Sequence, residues 1–269
     1  MNLQAYLKRI DYHGSLQPTF ETLRALHRSH LYAIPSENLD IHLGRKLTLD
    51  PDHIYHKIVE ERRGGWCYEM NGLFSQALRQ IGFDVTLLGS SVGSPAQGGV
   101  EGDLDHLILL VQVDKQPWLA DVGFGKGLLD PIPLQVGEIQ QNYLHYRLEQ
   151  EGENWYFHNQ PEGGPGFGFT LLPRTYAGFA SRCHELQTSP DSGFVRTTVC
   201  HRFTADGLVS LRGAILKRVA ARGVEEEEIQ TLERYRSVIN TVFGLDATLA
   251  DQLWDGVEER HRKWKEQAT

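Results

Sequence analysis

In Arg63-Gly64-Gly65-Trp66-Cys67-Tyr68-Glu69-Met70-Asn71, a cysteine follows a glycine pair and directly precedes a strong helical pattern. Met70, Leu73, Phe74, Ala77, Leu78 and Ile81 recur at helical spacing, and Gly82 is placed to end the helix. This spacing puts Cys67 at the N-terminus of a buried helix. Unpaired backbone N–H groups and the helix dipole favour an anion there, so a thiol is biased towards thiolate, its nucleophilic form. The glycine pair lets backbone approach a substrate closely. A cysteine between Trp66 and Tyr68 is otherwise read as a small buried hydrophobe. A nucleophile therefore needs an acid–base partner, distant in sequence and near in space.

Two residues meet that need. His106 begins the apolar run Leu107-Ile108-Leu109-Leu110-Val111-Gln112-Val113, and Asp121 interrupts the next one, Trp118-Leu119-Ala120-Asp121-Val122. If Val113 stands opposite Trp118 across the turn Asp114-Lys115-Gln116-Pro117, the side chains of His106 and Asp121 point to the same face of the hairpin. That register sets Gly125 opposite His106, with Asp121 about 13 Å away along the strand. Contact then requires a register shift or a bulge, which Gly123 and Gly125 permit. A histidine at a strand start is more ordinarily a surface or hydrogen-bonded core residue. An aspartate inside an apolar strand needs a cationic or N–H partner, because burying its charge alone is costly. An imidazolium would serve. In that arrangement His106 takes the Cys67 proton, Asp121 fixes the imidazole tautomer, and the thiolate attacks an acyl carbonyl. Helix-terminal N–H groups near Cys67 would stabilise the oxyanion, and an amine would accept the acyl group.

The surrounding composition is that of a globular protein. The chain has 269 residues, 40% of them hydrophobic and 23% charged, enough for one large or two to three small domains with a core. A net charge of −8 argues against a nucleic-acid partner or an anionic membrane surface. No apolar run approaches a membrane span, and Met1-Asn2-Leu3-Gln4-Ala5-Tyr6-Leu7-Lys8 does not read as a signal peptide. Three cysteines form no disulfide framework, so a reducing, cytoplasmic location is expected. Twelve histidines include no His-Glu-x-x-His, and the chain has no paired Cys-x-x-Cys. No metal is called for; His53 and His56 read as surface residues of a helix.

The elements that must position these groups follow a simple order. The first eighty or so residues read helical, including a helix capped by Asp50 with Pro51 at its first position. From Phe83 the pattern turns to strands: 85–88, 107–113, 118–122, 155–157 and, more weakly, 194–199 and 208–211. The Gly- and Ser-rich stretch from Gly89 to Leu104 reads as a mobile loop. Glu225-Glu226-Glu227-Glu228 reads as the acidic first turn of a helix running through Tyr235, Val238 and Ile239 to Gly244. A last helix spans about Leu249 to Lys265. Domains at 1–84 (helical, with the nucleophile), 85–190 (strands, with His106 and Asp121) and 191–269 (mixed) are expected.

These motifs together resemble the arylamine N-acetyltransferases over nearly the whole chain. Arg63 to Asn71 looks like that family's nucleophile segment, and Ile34-Pro35-Ser36-Glu37-Asn38-Leu39-Asp40 like its N-terminal motif. His106 followed by Asp121-Val122-Gly123-Phe124-Gly125 matches its other triad positions, and Leu186 to Ser192 and Phe243-Gly244-Leu245 match later landmarks. The resemblance implies a multi-domain α+β protein: an N-terminal helical bundle, a central β-barrel and a C-terminal α/β lid around a papain-like Cys-His-Asp core. It implies ping-pong acetyl transfer from acetyl-CoA, a co-substrate, to arylamines, hydrazines or N-hydroxyarylamines. It places Gly102, Asp103 and Phe203 at the coenzyme cleft and Ser36 and Phe124 at the acceptor.

The chain departs from the family pattern at several points. Ser36 stands where Phe is usual, which should widen or rewet the acceptor pocket. Asp105 replaces Thr or an apolar residue before His106; pointing inward, its carboxylate would raise the imidazole pKa. Ser210-Leu211-Arg212-Gly213 replaces a Thr-Leu-x-Gly-Arg segment. Related amide synthases close macrolactams from polyketide thioesters with the same triad. A papain- or transglutaminase-like hydrolase shares its order, and a silent binding protein is opposed by the intact triad.

Overall fold

Leu73, Phe74, Ala77 and Leu78 are fully buried along one face of a helix that starts at Cys67, and burying each large side chain stabilises the fold by roughly 1.5–3 kcal/mol. The computed structural model describes residues 1–95 and 102–268. Helices dominate the first part: α1 (Leu3–Arg9), α2 (Phe20–Ala33), α3 (Leu39–His42), α4 (Pro51–Tyr55) and α5 (Cys67–Ile81). Asp50 caps α4, accepting from the N–H groups of Asp52 and His53, as its sequence predicts. Gly82 ends α5 in the left-handed conformation at φ 108°.

The strands β2 (Asp84–Val92), β3 (His106–Val113), β4 (Gln116–Ala120), β5 (Ile132–Pro133), β6 (Gly137–Gln141), β7 (Leu144–Glu151), β8 (Asn154–His158) and β9 (Phe167–Pro173) form one antiparallel sheet in the order β5-β4-β3-β2-β9-β8-β7-β6. It curls into a nearly closed barrel, as the resemblance implies. Its β3 strand packs on α5, and one apolar cluster runs from the helices into the barrel. After α6 (Ala180–Thr188) and α7 (Gly193–Arg196), a second sheet follows: β10 (Val199–Thr204), β11 (Gly207–Arg212), β12 (Ile215–Ala220) and β13 (Gly223–Glu228). The short β1 (Ser36–Glu37) joins its far edge by pairing with β10. Helices α8 (Leu232–Ser237) and α9 (Thr248–Ala268) bury this sheet's apolar face through Tyr235, Leu253 and Trp254.

Three expectations are corrected. Glu225 to Glu228 are not the first turn of a helix but the edge strand β13, with Glu225 opposite Arg218 and Glu226 opposite Lys217. Cross-strand charge pairing with a basic neighbour, invisible in the local pattern, overrides the helical preference of glutamate. The Gly89–Leu104 stretch is in part strand: β2 continues through Val92, with Ser90 opposite His106; residues 96–101 lie outside the described residues. The β3–β4 hairpin also has a tighter turn than expected. Asp114 and Lys115 both adopt positive φ, 50° and 67°, so a two-residue turn closes Val113 onto Gln116. Val111, not Val113, faces Trp118.

A buried ion cluster joins the helical segments. A π-helical turn at His56–Glu60 carries Lys57, whose ammonium donates to Asp40 at 2.8 Å and to both oxygens of Glu69 at 2.9 Å. Arg63 bonds Glu37 at 2.8 Å and Asp40 at 2.9 Å. Burial alone would lower the Lys57 pKa, but the three carboxylates hold it above the ordinary lysine value. Lys57→Met would leave Asp40 and Glu69 short of a counter-charge in the core. It is expected to cost about 3–5 kcal/mol of unfolding free energy, measured as a lower urea midpoint at constant slope. A loss of about 1 kcal/mol or less, the range of exposed pairs, would show that solvent screens the cluster.

Candidate active site

The ion cluster places the thiol. Glu69 lies in the first turn of α5, and its carboxylate accepts from the Trp66 N–H at 3.2 Å, closing the helix N-terminus. Upstream, the Glu37 N–H donates to the Gly65 carbonyl at 2.9 Å. A Cβ at Gly64 would overlap the Pro35 carbonyl. Gly64 thus makes room for the chain's own Pro35–Glu37 segment and Gly65 for the Glu69 side chain, where the sequence suggested room for a substrate. Cys67 emerges from this clamp as the first residue of α5, 6% exposed.

His106 and Asp121 reach it from the barrel. In the observed register His106 would face position 123, so Asp121 is its diagonal neighbour on the same face. No bulge is needed: the turn at Asp114-Lys115 supplies the shift. His106 Nε2 donates to Asp121 Oδ2 at 2.7 Å, and the thiol of Cys67 hydrogen-bonds the imidazole. Nε2 is taken by the carboxylate, which leaves Nδ1 for sulfur. Both His106 and Asp121 are 2% exposed, and the rings of Phe124 and Phe167 pack 4.9 and 5.5 Å from the imidazole.

The electrostatics of the pair follow from this burial. Burial by itself would lower the His106 pKa, but the charge and hydrogen bond of Asp121, with Cys67 in support, raise it to about 10. For Asp121, burial would raise the pKa; the imidazole, Asn71 and the Gly123 N–H together hold it below the ordinary carboxylate value. Asp105 takes no part. Its carboxylate turns to Arg182 on α6, at 2.7 Å from Nε and 2.6 Å from Nη2, which answers the inward orientation considered above.

Two positions unremarked as functional in the sequence support the carboxylate. Asn71, one helical turn after Cys67, donates through Nδ2 to Asp121 Oδ1 at 2.8 Å and to the Leu107 carbonyl at 2.7 Å, and accepts from the Val122 N–H at 2.9 Å. A polar residue on the buried face of α5 was the available signal. His27 on α2 accepts from the Asp121 N–H; nothing in its local pattern marks it. Gly123 completes the seat, because a Cβ there would stand 2.7 Å from both Cys67 Cα and Asn71 Nδ2.

The other named positions are distributed around this centre. Ser36, on β1, pairs with His201 and lies against Gly125. Burial, with Lys126 and Arg212 nearby, lowers the His201 pKa to about 3. Gly102 and Asp103 lead into His106. The Gly102 carbonyl accepts from Arg174 at 2.8 Å; buried Asp103 accepts from Ser91 Oγ at 2.7 Å. Tyr68 holds the next residues, donating to the Leu104 carbonyl at 2.6 Å. Phe203 is buried in the same apolar cluster as Leu208 and Val219. Among the described residues no cluster of His, Cys, Asp and Glu could hold a metal ion, and no helix is long and apolar enough to cross a membrane.

A thiol at a helix N-terminus, an imidazole and a buried carboxylate in series define a site that can carry an acyl group on sulfur. Comparison with known proteins gives the class its family. The N-acetyltransferase profile matches residues 19–252. The pineal gland arylamine N-acetyltransferase isozyme NAT-3 of Gallus gallus is 37% identical over 79% of this chain and 81% of its own. Arylamine N-acetyltransferase 2 of Mesocricetus auratus is 32% identical over 91% and 94%. The Mycobacterium marinum arylamine N-acetyltransferase superposes with a TM-score of 0.86 at 28% identity, covering 96% of this chain and 99% of that one; it has also been solved in complex with CoA. The Nocardia farcinica arylamine N-acetyltransferase gives 0.84 at 34%, over 94% and 93%. The chain belongs to the arylamine N-acetyltransferase family, as its ordered motifs indicated, and is an acyltransferase.

The raised His106 pKa is a stability statement as well. A folded-state value above the unfolded one contributes stability that is full below about 6.5 and is lost as pH rises towards about 10. Wild-type protein is therefore expected to lose stability relative to His106→Gln between these limits, read from urea midpoints against pH. Parallel curves for the two proteins would refute the charged pair.

Proposed function

We propose that this enzyme transfers an acetyl group from acetyl-CoA to the nitrogen of arylamines or arylhydrazines through an acetyl-Cys67 intermediate, with His106 and Asp121 as its acid–base pair. The observation that carries the reading is the continuous hydrogen-bonded series from the Cys67 thiol through His106 to Asp121, in a chain of this family.

Neutral His106 takes the thiol proton, and Asp121 stabilises the imidazolium that results, leaving a thiolate–imidazolium pair. Sulfur attacks the acetyl carbonyl of acetyl-CoA, and N–H groups at the start of α5 stabilise the oxyanion. The C–S bond to CoA breaks, and the leaving thiolate takes the proton from His106. In the second half the amine attacks the acetyl-Cys67 carbonyl, His106 accepts the amine proton, and Cys67 leaves as thiolate. Phe124 and Phe167 keep water from the imidazole, which favours the amine over hydrolysis.

The remaining assignments belong to the same reading. Gly102 and Asp103 border the coenzyme cleft, since they lead directly into His106. Phe203, its ring buried, serves as an apolar wall. Ser36 and Phe124 face the acceptor, with Ser36 leaving space that a ring would fill. The division into 1–84, 85–190 and 191–269 fits the start of the barrel at Asp84 and of the second sheet at Val199, although β1 crosses that division.

Incubation with acetyl-CoA is expected to add one acetyl group to Cys67, detected by mass spectrometry, and an aromatic amine is expected to discharge it. No acetyl-enzyme and no released CoA would sink the reading; Cys67→Ala should abolish both steps and keep the fold. Ser36→Phe should lower kcat/KM for bulky arylamines more than for aniline-sized ones. Equal effects on both would remove Ser36 from the acceptor site.

A further inference from the structure

His27 is a fully buried imidazole that the mechanism above leaves unused. Its surroundings fix both of its nitrogens. Nε2 lies 3.1 Å from the Asp121 N–H, a donor, so Nε2 must be the acceptor. The proton is then on Nδ1, which donates to the Leu129 carbonyl at 3.1 Å. Burial disfavours the charged ring and lowers its pKa to about 4, although Asp130 and Asp121 oppose this. The edge of Phe74 packs on the ring at 5.9 Å.

The bond to Asp121 matters because of where the sheet ends. Pairing of β4 with β3 stops at Ala120 opposite Leu109. Beyond it, four consecutive backbone N–H groups have left the ladder within the core. Side chains satisfy all four: His27 takes Asp121, Asn71 takes Val122, and the Asp121 carboxylate takes Gly123 and Phe124. Asp121 cannot orient its own main chain, so His27 and Asn71 do. Through Leu129, His27 also ties down the far end of the loop that carries Phe124. Arg28, the next residue of α2, forms an ion pair with Asp130 and secures the same end.

We propose that His27 is a positioning residue for acyl transfer, its neutral Nε2 acting as the acceptor that sets the backbone of Asp121 and thereby the His106–Asp121 pair. The inference rests on the assignment of Cys67, His106 and Asp121 made above. It predicts that only one of His27's two hydrogen bonds matters to rate. Gln places an amide oxygen where Nε2 lies and can keep the acceptor. Asn places an amide N–H where Nδ1 lies and keeps only the bond to Leu129.

The test uses the full chain and single-turnover acetylation by acetyl-CoA, with the acetyl-Cys67 burst read as a rate per active molecule. Partial unfolding then lowers amplitude and not rate. H27N is expected to acetylate more slowly by up to about 100-fold, the scale of a displacement near 1 Å at a reacting group; H27Q should stay within a few-fold of wild type. Cys67 alkylation by iodoacetamide, followed against pH, should shift its lower limb upward in H27N and not in H27Q, because a displaced Asp121 holds the His106 proton less firmly. Equal rates and equal profiles in the two variants overturn the proposal. So does an H27N that fails to fold beside a fully active H27Q, since His27 would then be a folding contact. A wild-type protein that forms no acetyl-enzyme is a different failure, that of the triad reading itself.

Discussion

A negative charge held out of water at Asp121 is the constraint around which the site is built. A carboxylate at 2% exposure is tolerable only if its oxygens are fully engaged. Here Oδ2 takes the imidazole N–H, and Oδ1 takes Asn71, Gly123 and Phe124. These partners come from the barrel, from α5 and from the loop beyond β4. Their convergence brings the thiol's helix and the imidazole's strand together at one point. The same field that makes the carboxylate bearable makes His106 a strong base beside sulfur.

A second set of buried charges does the corresponding work for the thiol. Lys57 and Arg63 against Glu37, Asp40 and Glu69 bind the turn before Cys67 to the Pro35–Asp40 segment. Glu69 links this cluster to the helix of the thiol: it receives Lys57 and closes the N-terminus of α5 through the Trp66 N–H. The thiol is therefore set by ion pairs within the helical part and the base by hydrogen bonds within the barrel. The two halves meet across the contacts of α5 with β2 and β3, through Asn71 and Tyr68, and through His27 and Arg28 on α2. Buried polar networks of this kind are sensitive to every member, because any one left unpaired carries its full desolvation cost.

How much of this could be read in the chain differed from residue to residue. The α5 helix, its start at Cys67 and its end at Gly82 follow from local spacing and backbone chemistry, and they stand as expected. The shared face of His106 and Asp121 follows from the two-residue period of strands, which survives an even shift in register. The register itself did not follow, since Asp114 and Lys115 adopt positive φ without the glycine that normally signals such a turn. The acidic run at Glu225 has both a helical and a strand solution. Lys217 and Arg218, on the neighbouring strand, chose the second.

The amino-acid sequence by itself singled out the thiol, the imidazole and the carboxylate that the fold brings together, the helix that presents the first and the family whose ordered motifs they share. Those properties are local, set by residue type, periodicity and short-range backbone preference. Only the tertiary structure decided what those groups are held by. That His27 and Asn71 would close on the backbone beyond β4, that Asp105 would turn to Arg182, and that Gly64 would make room for Pro35 all depend on segments far apart in the chain. The physical reason is satisfaction of buried donors and acceptors. It is a property of the packed interior as a whole, and a single segment of chain carries no record of which distant partner will supply the missing hydrogen bond.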